Sequence, residues 1–428
     1  MKRMLGILIF TFMFVGFAGM AKAQTTQVDA LIRKLVDKGI LDKKEAIELK
    51  SEIAADEKTI REETKASVLP EWVSRTKIKG DVRLRHQYER RTNDTEARNR
   101  SRIRYRLGVI TNPTNNVEVG AGLASGGQDP RSTNQTLENS FETPDIRLDY
   151  AYAQWKPRED SKIIGGKFER KAYLWAPTDI LWDSDITPNG IGINYEPKIN
   201  DSLSAFFNGA YLIIDENGKV DKADPFLKYV QGGLKYKQGM FDATMAGTRY
   251  SFNSLDGTCP DWSSRTNSGL TGATVNSSTG ACTGGALVYD YDSIVASSEF
   301  GFKKLFGGLP LNADGRIAFF GDFIHNPHPN DENNGWAYGM RIGTENMKTP
   351  GDWEIRYVKV ILEKDAWVDF MSDSDRLGGA TNIIGHEGIF EYVWKENVTF
   401  GMDYYISDLL NGSENREKLV QADMVFKF

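Results

Sequence analysis

Six arginines stand at alternate positions in two neighbouring stretches: Arg83 and Arg85 in KIKGDVRLRHQYER, and Arg100, Arg102, Arg104 and Arg106 in the run 99–110. A guanidinium stays charged at any physiological pH, so a row of them attracts and orients anions rather than moving protons. A second group is acidic. Asp179, Asp183 and Asp185 lie in KAYLWAPTDILWDSDITPNG, among Tyr173, Leu174, Trp175, Ile180, Leu181 and Trp182. A segment this apolar is not left in water. It is expected to fold inward, where its carboxylates face the arginines and set up a transverse field across a constriction. Folding outward into a subunit interface is the alternative. The arginines either select anions or are neutralised by acids brought in by a loop.

Bond-making chemistry is poorly served. The four histidines are His86, His325, His328 and His386, and only HNPHPND brings two of them close in sequence. No Ser/His/Asp spacing, phosphate-binding loop or dinucleotide motif is present. Asp365, Asp369, Asp373 and Asp375 lack the spacing and glycine of a calcium hand and read as a solvated loop. No catalytic residue, metal or cofactor is expected, and the chain does not read as an enzyme. A formal net charge of -6 argues against a nucleic-acid partner.

Both groups must be held by strands. In the first stretch Ile78, Val82, Leu84 and Tyr88 share one parity, and Arg83 and Arg85 share the other. In the second, Ile103, Tyr105, Leu107 and Val109 alternate with the four arginines. A soluble core does not accept the charged face, and water does not favour the apolar one. Lipid outside and a water-filled lumen inside satisfy both. A slip of one residue would place arginines in hydrocarbon, so the parity fixes their direction. Fourteen further strands follow, from one centred near Val119 to one centred near Met424, joined by alternating short and long connections. The expected fold is all-β: a closed antiparallel transmembrane barrel of about 16 strands, with a short N-terminal α-helical segment.

The two ends support export to a membrane. Lys2 and Arg3, an apolar run from Leu5 to Gly19, and Ala21-Lys22-Ala23 before Gln24 form a secretory signal peptide over 1–23. Residues 24–70 read as a periplasmic helical or coiled-coil segment. Val28, Leu31, Ile32, Leu35 and Val36 are helically spaced, Gly39 is a plausible C-cap, and Asp42 caps a second, highly charged helix. Residues 71–428 are the barrel. The chain closes on KLVQADMVFKF, in which Val420, Ala422, Met424, Phe426 and Phe428 share the lipid parity. That closing strand resembles the terminal assembly signal of bacterial outer-membrane barrels, which implies the barrel-assembly machinery as a partner. Cys259 and Cys282, the only two cysteines, are expected to close the fifth outer loop as a disulfide in an oxidising compartment.

LWDSDITPNGIGINY, the run W-x-I-R-Y, E-K-D-A, D-S-D-R-L-G-G-A-T-N and G-H-E-G, and the N-terminal DALIRKLVDKGILDKKEA resemble the bacterial putative porins. The resemblance implies a porin-type channel in the outer membrane of a Gram-negative bacterium. It supplies no catalytic residue. The expected activity is passive diffusion of small hydrophilic solutes or ions. The expected partners are outer-membrane lipid and, by analogy with sixteen-stranded porins, two further copies in a homotrimer. The N-terminal segment lies in the periplasm and is a candidate contact with the cell wall. A barrel acting as a structural tether or receptor is the rival reading, and an outer-membrane enzyme a lesser one.

Overall fold

The computed structural model describes residues 71–216, 224–275, 282–303 and 315–428, together with Ile32, 34–36, Lys38, 41–42 and 44–52. The signal peptide, Val28, Leu31, Gly39 and the stretch 53–70 lie outside the described residues. Met1–Arg75 and Thr76–Phe428 are separate units. In the first, Asp42 caps the helix at 44–52. Its carboxylate accepts the Lys44 and Glu45 N–H at 2.7 and 2.8 Å, and Glu45 returns the contact by accepting the Asp42 N–H at 2.9 Å. This reciprocal box satisfies N–H groups that a helix start otherwise leaves open. Among the described residues no helix is long and apolar enough to cross a membrane.

The second unit is a closed antiparallel barrel of sixteen strands. They are β1 (Lys77–Arg91), β2 (Arg98–Thr114), β3 (Val117–Ala124), β4 (Arg147–Arg158), β5 (Ser161–Lys167), β6 (Asn189–Tyr195), β7 (Leu203–Ile213) and β8 (Phe226–Gln238). The series continues with β9 (Phe241–Asn253), β10 (Ile294–Lys303), β11 (Gly315–His325), β12 (Asn334–Thr344), β13 (Trp353–Leu362), β14 (Ile383–Lys395), β15 (Val398–Leu409) and β16 (Glu417–Lys427). Each pairs with its chain neighbours, and β1 pairs with both β2 and β16, which closes the ring. Closure leaves no unpaired edge. A two-residue strand, Gln135–Thr136, folds back onto β2 from the β3–β4 loop. The connections alternate in length as expected, except that 304–314 is longer than 326–333 and that 326–333 and 345–352 are equal.

Parity holds around the ring. Ile78, Leu84, Val109, Ile193, Phe207, Leu234, Met245, Phe319 and Ile355 are large, apolar and exposed on the outer face. At the seam, Met424 lies opposite Leu84, Phe426 opposite Val82, Val420 opposite Tyr88 and Ala422 opposite His86. Gly80 and Phe428 exchange backbone hydrogen bonds at 2.8 and 3.0 Å. The Phe428 ring then lies over Gly80, where a Cβ would meet ring carbon at 2.5 Å. A bare backbone is needed there for the last aromatic ring to settle on the first strand.

The packed interior is inside the barrel, at its loop end. Loop 168–188 and loop 363–382 both turn inward and bury their apolar residues against the lumen faces of β7 to β13. Cys259 and Cys282 are joined in the 254–293 loop. That loop holds loop 363–382 through Asn267, which is fully buried. The Asn267 amide donates to the Lys364 and Trp367 carbonyls at 2.7 and 2.8 Å, and its oxygen accepts the Asp369 N–H at 2.9 Å.

Candidate pore constriction

The β1–β2 register sets Asp81 opposite Arg106, Arg83 opposite Arg104, Arg85 opposite Arg102 and Gln87 opposite Arg100, all on the lumen side. The row is therefore one patch of wall, yet most of its charge is spent locally. Asp81 sits between Arg104 and Arg106, 2.8 and 2.7 Å from their guanidinium nitrogens. Arg85 forms a two-pronged pair with Asp423 of β16 at 2.7 and 2.6 Å and lies 3.9 Å from both Asp375 and Asp403. Arg83 is 3.7 Å from Asp423 and donates to Asn134 Oδ1 at 2.6 Å. Arg100 donates to Glu89 at 2.8 Å. Arg102 contacts Gln87, Ser132 and the Asn134 carbonyl. Of the six arginines it alone has no carboxylate partner among the described residues. The neutralising acids come mainly from the strands themselves rather than from a loop. Asp81, Glu89 and Asp423 share the lumen parity of the arginines, which is a signal the sequence carried.

Loop 168–188 folds inward. Tyr173, Leu174, Ile180, Leu181 and Trp182 are buried, and Trp182 packs on Tyr250 and Trp367 with ring centroids 6.5 Å away. Its three aspartates part company. Asp185 faces the basic wall: it lies 4.0 Å from Arg106 and accepts from the Thr133 N–H at 3.2 Å. Asp183 turns away from that wall. Its two oxygens accept the Asp185 and Ser374 N–H groups, each at 2.9 Å. Burial, reinforced by the neighbouring Asp185 charge, pushes its carboxyl up to about 7. Asp179 reaches the opposite side, 3.2 Å from Arg376 and 3.6 Å from Arg356. Burial opposes its ionisation, but the two guanidiniums outweigh burial and hold its carboxyl below the usual range. A field from all three aspartates onto β1–β2 is thus not what the loop builds.

Loop 363–382 corrects the reading of its aspartates as solvated. Trp367 is fully buried, and its indole N–H donates to the Leu181 carbonyl at 2.5 Å. Asp365 accepts the Ser268 N–H at 2.9 Å and the Tyr291 hydroxyl at 3.1 Å. Asp369 accepts the Thr266 N–H at 2.8 Å. Asp373 and Glu387 pair with Arg376. These carboxylates are consumed in pinning the loop, because a buried charge is tolerated only when partnered. Among the described residues no group of three or more such side chains is arranged to hold a metal.

Among the described residues, a lumenal cavity of about 390 Å³ is bounded by Lys79, Asp81, Arg106, Asp149, Glu169 and Asp185. Two features of its wall were not visible in the residue pattern. In β4 one residue is inserted: Leu148 pairs with Leu123 and Tyr150 with Gly122, so Asp149 is a bulge. The bulge brings Asp149 and Tyr150 to the lumen in succession, where strict alternation would send one of them to the outer face. Tyr150 then lies flat on the wall, its ring over Gly122, where any Cβ would collide with it. Lys79 caps the ring at 5.7 Å. The opening carries both signs at close range, with Arg106 and Lys79 against Asp149, Glu169 and Asp185.

A family model described as Putative porin matches residues 87–288 and 286–428. No curated protein sequence matches. Among solved structures, the barrel is similar to Pseudomonas putida OprB in its high-pH form, with 11% identity, a TM-score of 0.53, and 84% of this chain and 96% of that chain covered. It also aligns with Salmonella typhi OmpF, at 12% identity and a TM-score of 0.48 over 82% of this chain and 97% of that one. A Rhodopseudomonas blastica porin mutant aligns at 12% identity and a TM-score of 0.40 over 82% and 100%. The OprB likeness is one of fold.

Proposed function

Since this chain belongs to the Putative porin family, and forms an outer-membrane channel for passive diffusion, we propose that ions and small hydrophilic solutes pass through the opening lined by Lys79, Arg106, Asp149, Glu169 and Asp185. The observation that carries this is the mixed charge of that opening. Arg106 and Lys79 stand on one strand pair, and Asp149, Glu169 and Asp185 stand within the same cavity. Such an arrangement orients dipolar solutes without a strong preference for either ion sign. Arg83, Arg85, Arg100 and Arg104 serve as structural pairs in this reading, while Arg102 supplies the remaining positive potential. The chain works as a homotrimer, with the long loops outside the cell and residues 24–70 in the periplasm, within reach of the cell wall. The barrel-assembly machinery reads the Val420-to-Phe428 face.

Reversal potentials in a salt gradient test the proposal. Wild type should show a weak preference. Arg106→Gln should move it toward cations and Asp185→Asn toward anions, each by a few-fold in permeability ratio. Equal ratios in all three proteins would refute the assignment. One observation favours the tether reading: the loop end of the lumen is filled by buried aromatic residues, Trp182 and Trp367 among them. A plugged tether would give no conductance steps in planar bilayers.

A further inference from the structure

The outer face of the barrel carries one polar cluster that transport does not explain. Tyr357, Lys359 and His386 face outward on β13 and β14. Lys359 and His386 are cross-strand partners. Lys359 Nζ is 3.0 Å from His386 Nε2, and Tyr357 Oη is 2.6 Å from His386 Nδ1. These contacts assign the protons. An ammonium only donates, so Nε2 must accept from Lys359. A neutral imidazole then carries its hydrogen on Nδ1 and donates it to Tyr357 Oη. The tyrosine hydroxyl hydrogen is left free, as are the remaining N–H bonds of Lys359. The cluster presents one full positive charge and a set of unused donors to whatever covers this face.

The same outward row continues. His386 lies opposite Ile406, Ile406 opposite Lys418, and Lys418 opposite Arg90. Among the described residues Lys359, Lys418 and Arg90 have no ion-pair partner. Of the acids of these strands, Glu89, Glu387, Asp403, Glu417 and Asp423 have the opposite parity and face the lumen, while Asp408, which has the outward parity, is taken up by Arg416 at 3.5 Å. All four basic side chains lie within three residues of the loop ends of their strands, judged from strands ending at Leu362 and Arg91 and beginning at Ile383 and Glu417. Tyr338 sits opposite Lys359, and Trp336 opposite Ile361 one step nearer the loops. Aromatic residues at this level mark the depth of lipid headgroups.

We propose that this face, with Tyr357, Lys359 and His386 at its centre and Lys418 and Arg90 as its continuation, binds the phosphate headgroup of a lipid in the leaflet at the loop end. Hydrocarbon satisfies neither the charge nor the donors. A phosphate oxygen accepts from Lys359 and from the freed tyrosine hydroxyl together. The lipid's acyl chains then lie along Ile355 and Phe390, which are cross-strand partners on the outer face, on the side of the cluster away from the loops.

Native mass spectrometry of the full chain, released from detergent with defined lipid, tests this. Dioleoyl phosphatidate should be retained at least tenfold more tightly than dioleoyl phosphatidylcholine. Lys359→Gln combined with His386→Gln should remove most of that preference, while Lys228→Gln, on the outer face of β8, should keep it. Tyr357→Phe, which deletes the hydroxyl donor and with it the acceptor for the His386 Nδ1 hydrogen, should weaken retention several-fold with single-channel conductance unchanged; it keeps the test valid if the double variant does not assemble. Equal retention of both lipids, or an unchanged preference in Tyr357→Phe and the double variant, would overturn the proposal. So would retention of inorganic phosphate alone at the strength of phosphatidate. A change in the number of copies per particle, with lipid retention unaltered, would show that a second copy covers the cluster and would equally overturn it.

Discussion

Asp81 is the residue on which the charge of the basic wall turns. It neutralises Arg104 and Arg106 together, and Arg104 is buried. Breaking a buried pair from one side leaves an uncompensated charge and costs about 3–5 kcal/mol. Asp81→Asn should therefore lower stability by a few kcal/mol, read from urea unfolding in lipid vesicles, and shift the reversal potential toward anion preference. A stable variant with unchanged selectivity would mean that other acids take up both arginines. The direction of the arginines was legible, because a strand in a barrel has only two faces and one of them is lipid. Their neutralisation was half legible: Asp81 and Asp423 had the right parity, but only the closure of β16 onto β1 sets Asp423 beside Arg85. The parting of Asp179, Asp183 and Asp185 was not legible, since it depends on which neighbours an irregular loop meets.

At the scale of the element, two glycines decide where aromatic rings lie. Gly122 gives Tyr150 room to lie flat, and Gly80 gives Phe428 room to close the seam. Gly122→Val should push the Tyr150 ring into the opening and lower single-channel conductance, with assembly intact. Gly80→Leu should instead spare conductance in assembled channels and slow assembly, read as the heat-modifiable band on unheated gels. The strands were readable from period two. The Asp149 bulge was not, because one extra residue leaves each half of the segment looking regular. The inward fold of 168–188 followed from its apolar content. The 363–382 loop hid the same behaviour behind its aspartates, whose partners Ser268, Thr266 and Tyr291 come from a loop far away in sequence. That distant loop is cross-linked by Cys259–Cys282, across a sequence separation of 23. Closing a loop of that size restricts it by roughly 3 kcal/mol in the chain-entropy model. Reduction, or Cys259→Ser with Cys282→Ser, should speed proteolysis within 363–382 while the barrel strands stay protected.

For the whole molecule, Asp183 is one contributor to the pH response, beside Asp373, whose carboxyl burial also raises. The Asp183 carboxyl is raised to about 7 in the folded state, from an ordinary value of 3.8. Between these values the folded chain binds a proton that the unfolded chain has released, so stability falls as pH rises through this window and levels off above it. Asp183→Asn, which mimics the protonated form, should flatten that slope between about pH 4 and 7. Unfolding midpoints across that range, compared with wild type, would show it; parallel slopes in the two proteins would exclude Asp183 as a source.

Asp183 also takes one backbone N–H from its own loop and one from loop 363–382, while its own N–H is given to the Met371 carbonyl at 2.8 Å. The two inward loops are therefore pinned to each other as well as to the wall. Flaps that moved separately would give the current trace a ladder of intermediate levels, one for each combination of positions. Flaps joined at a shared pin move as one body, and the trace should switch between a shut level and an open one. Sublevels that emerge only when Asp183 is replaced by alanine would count, in picoamperes, the mechanical freedom that a single carboxylate removes.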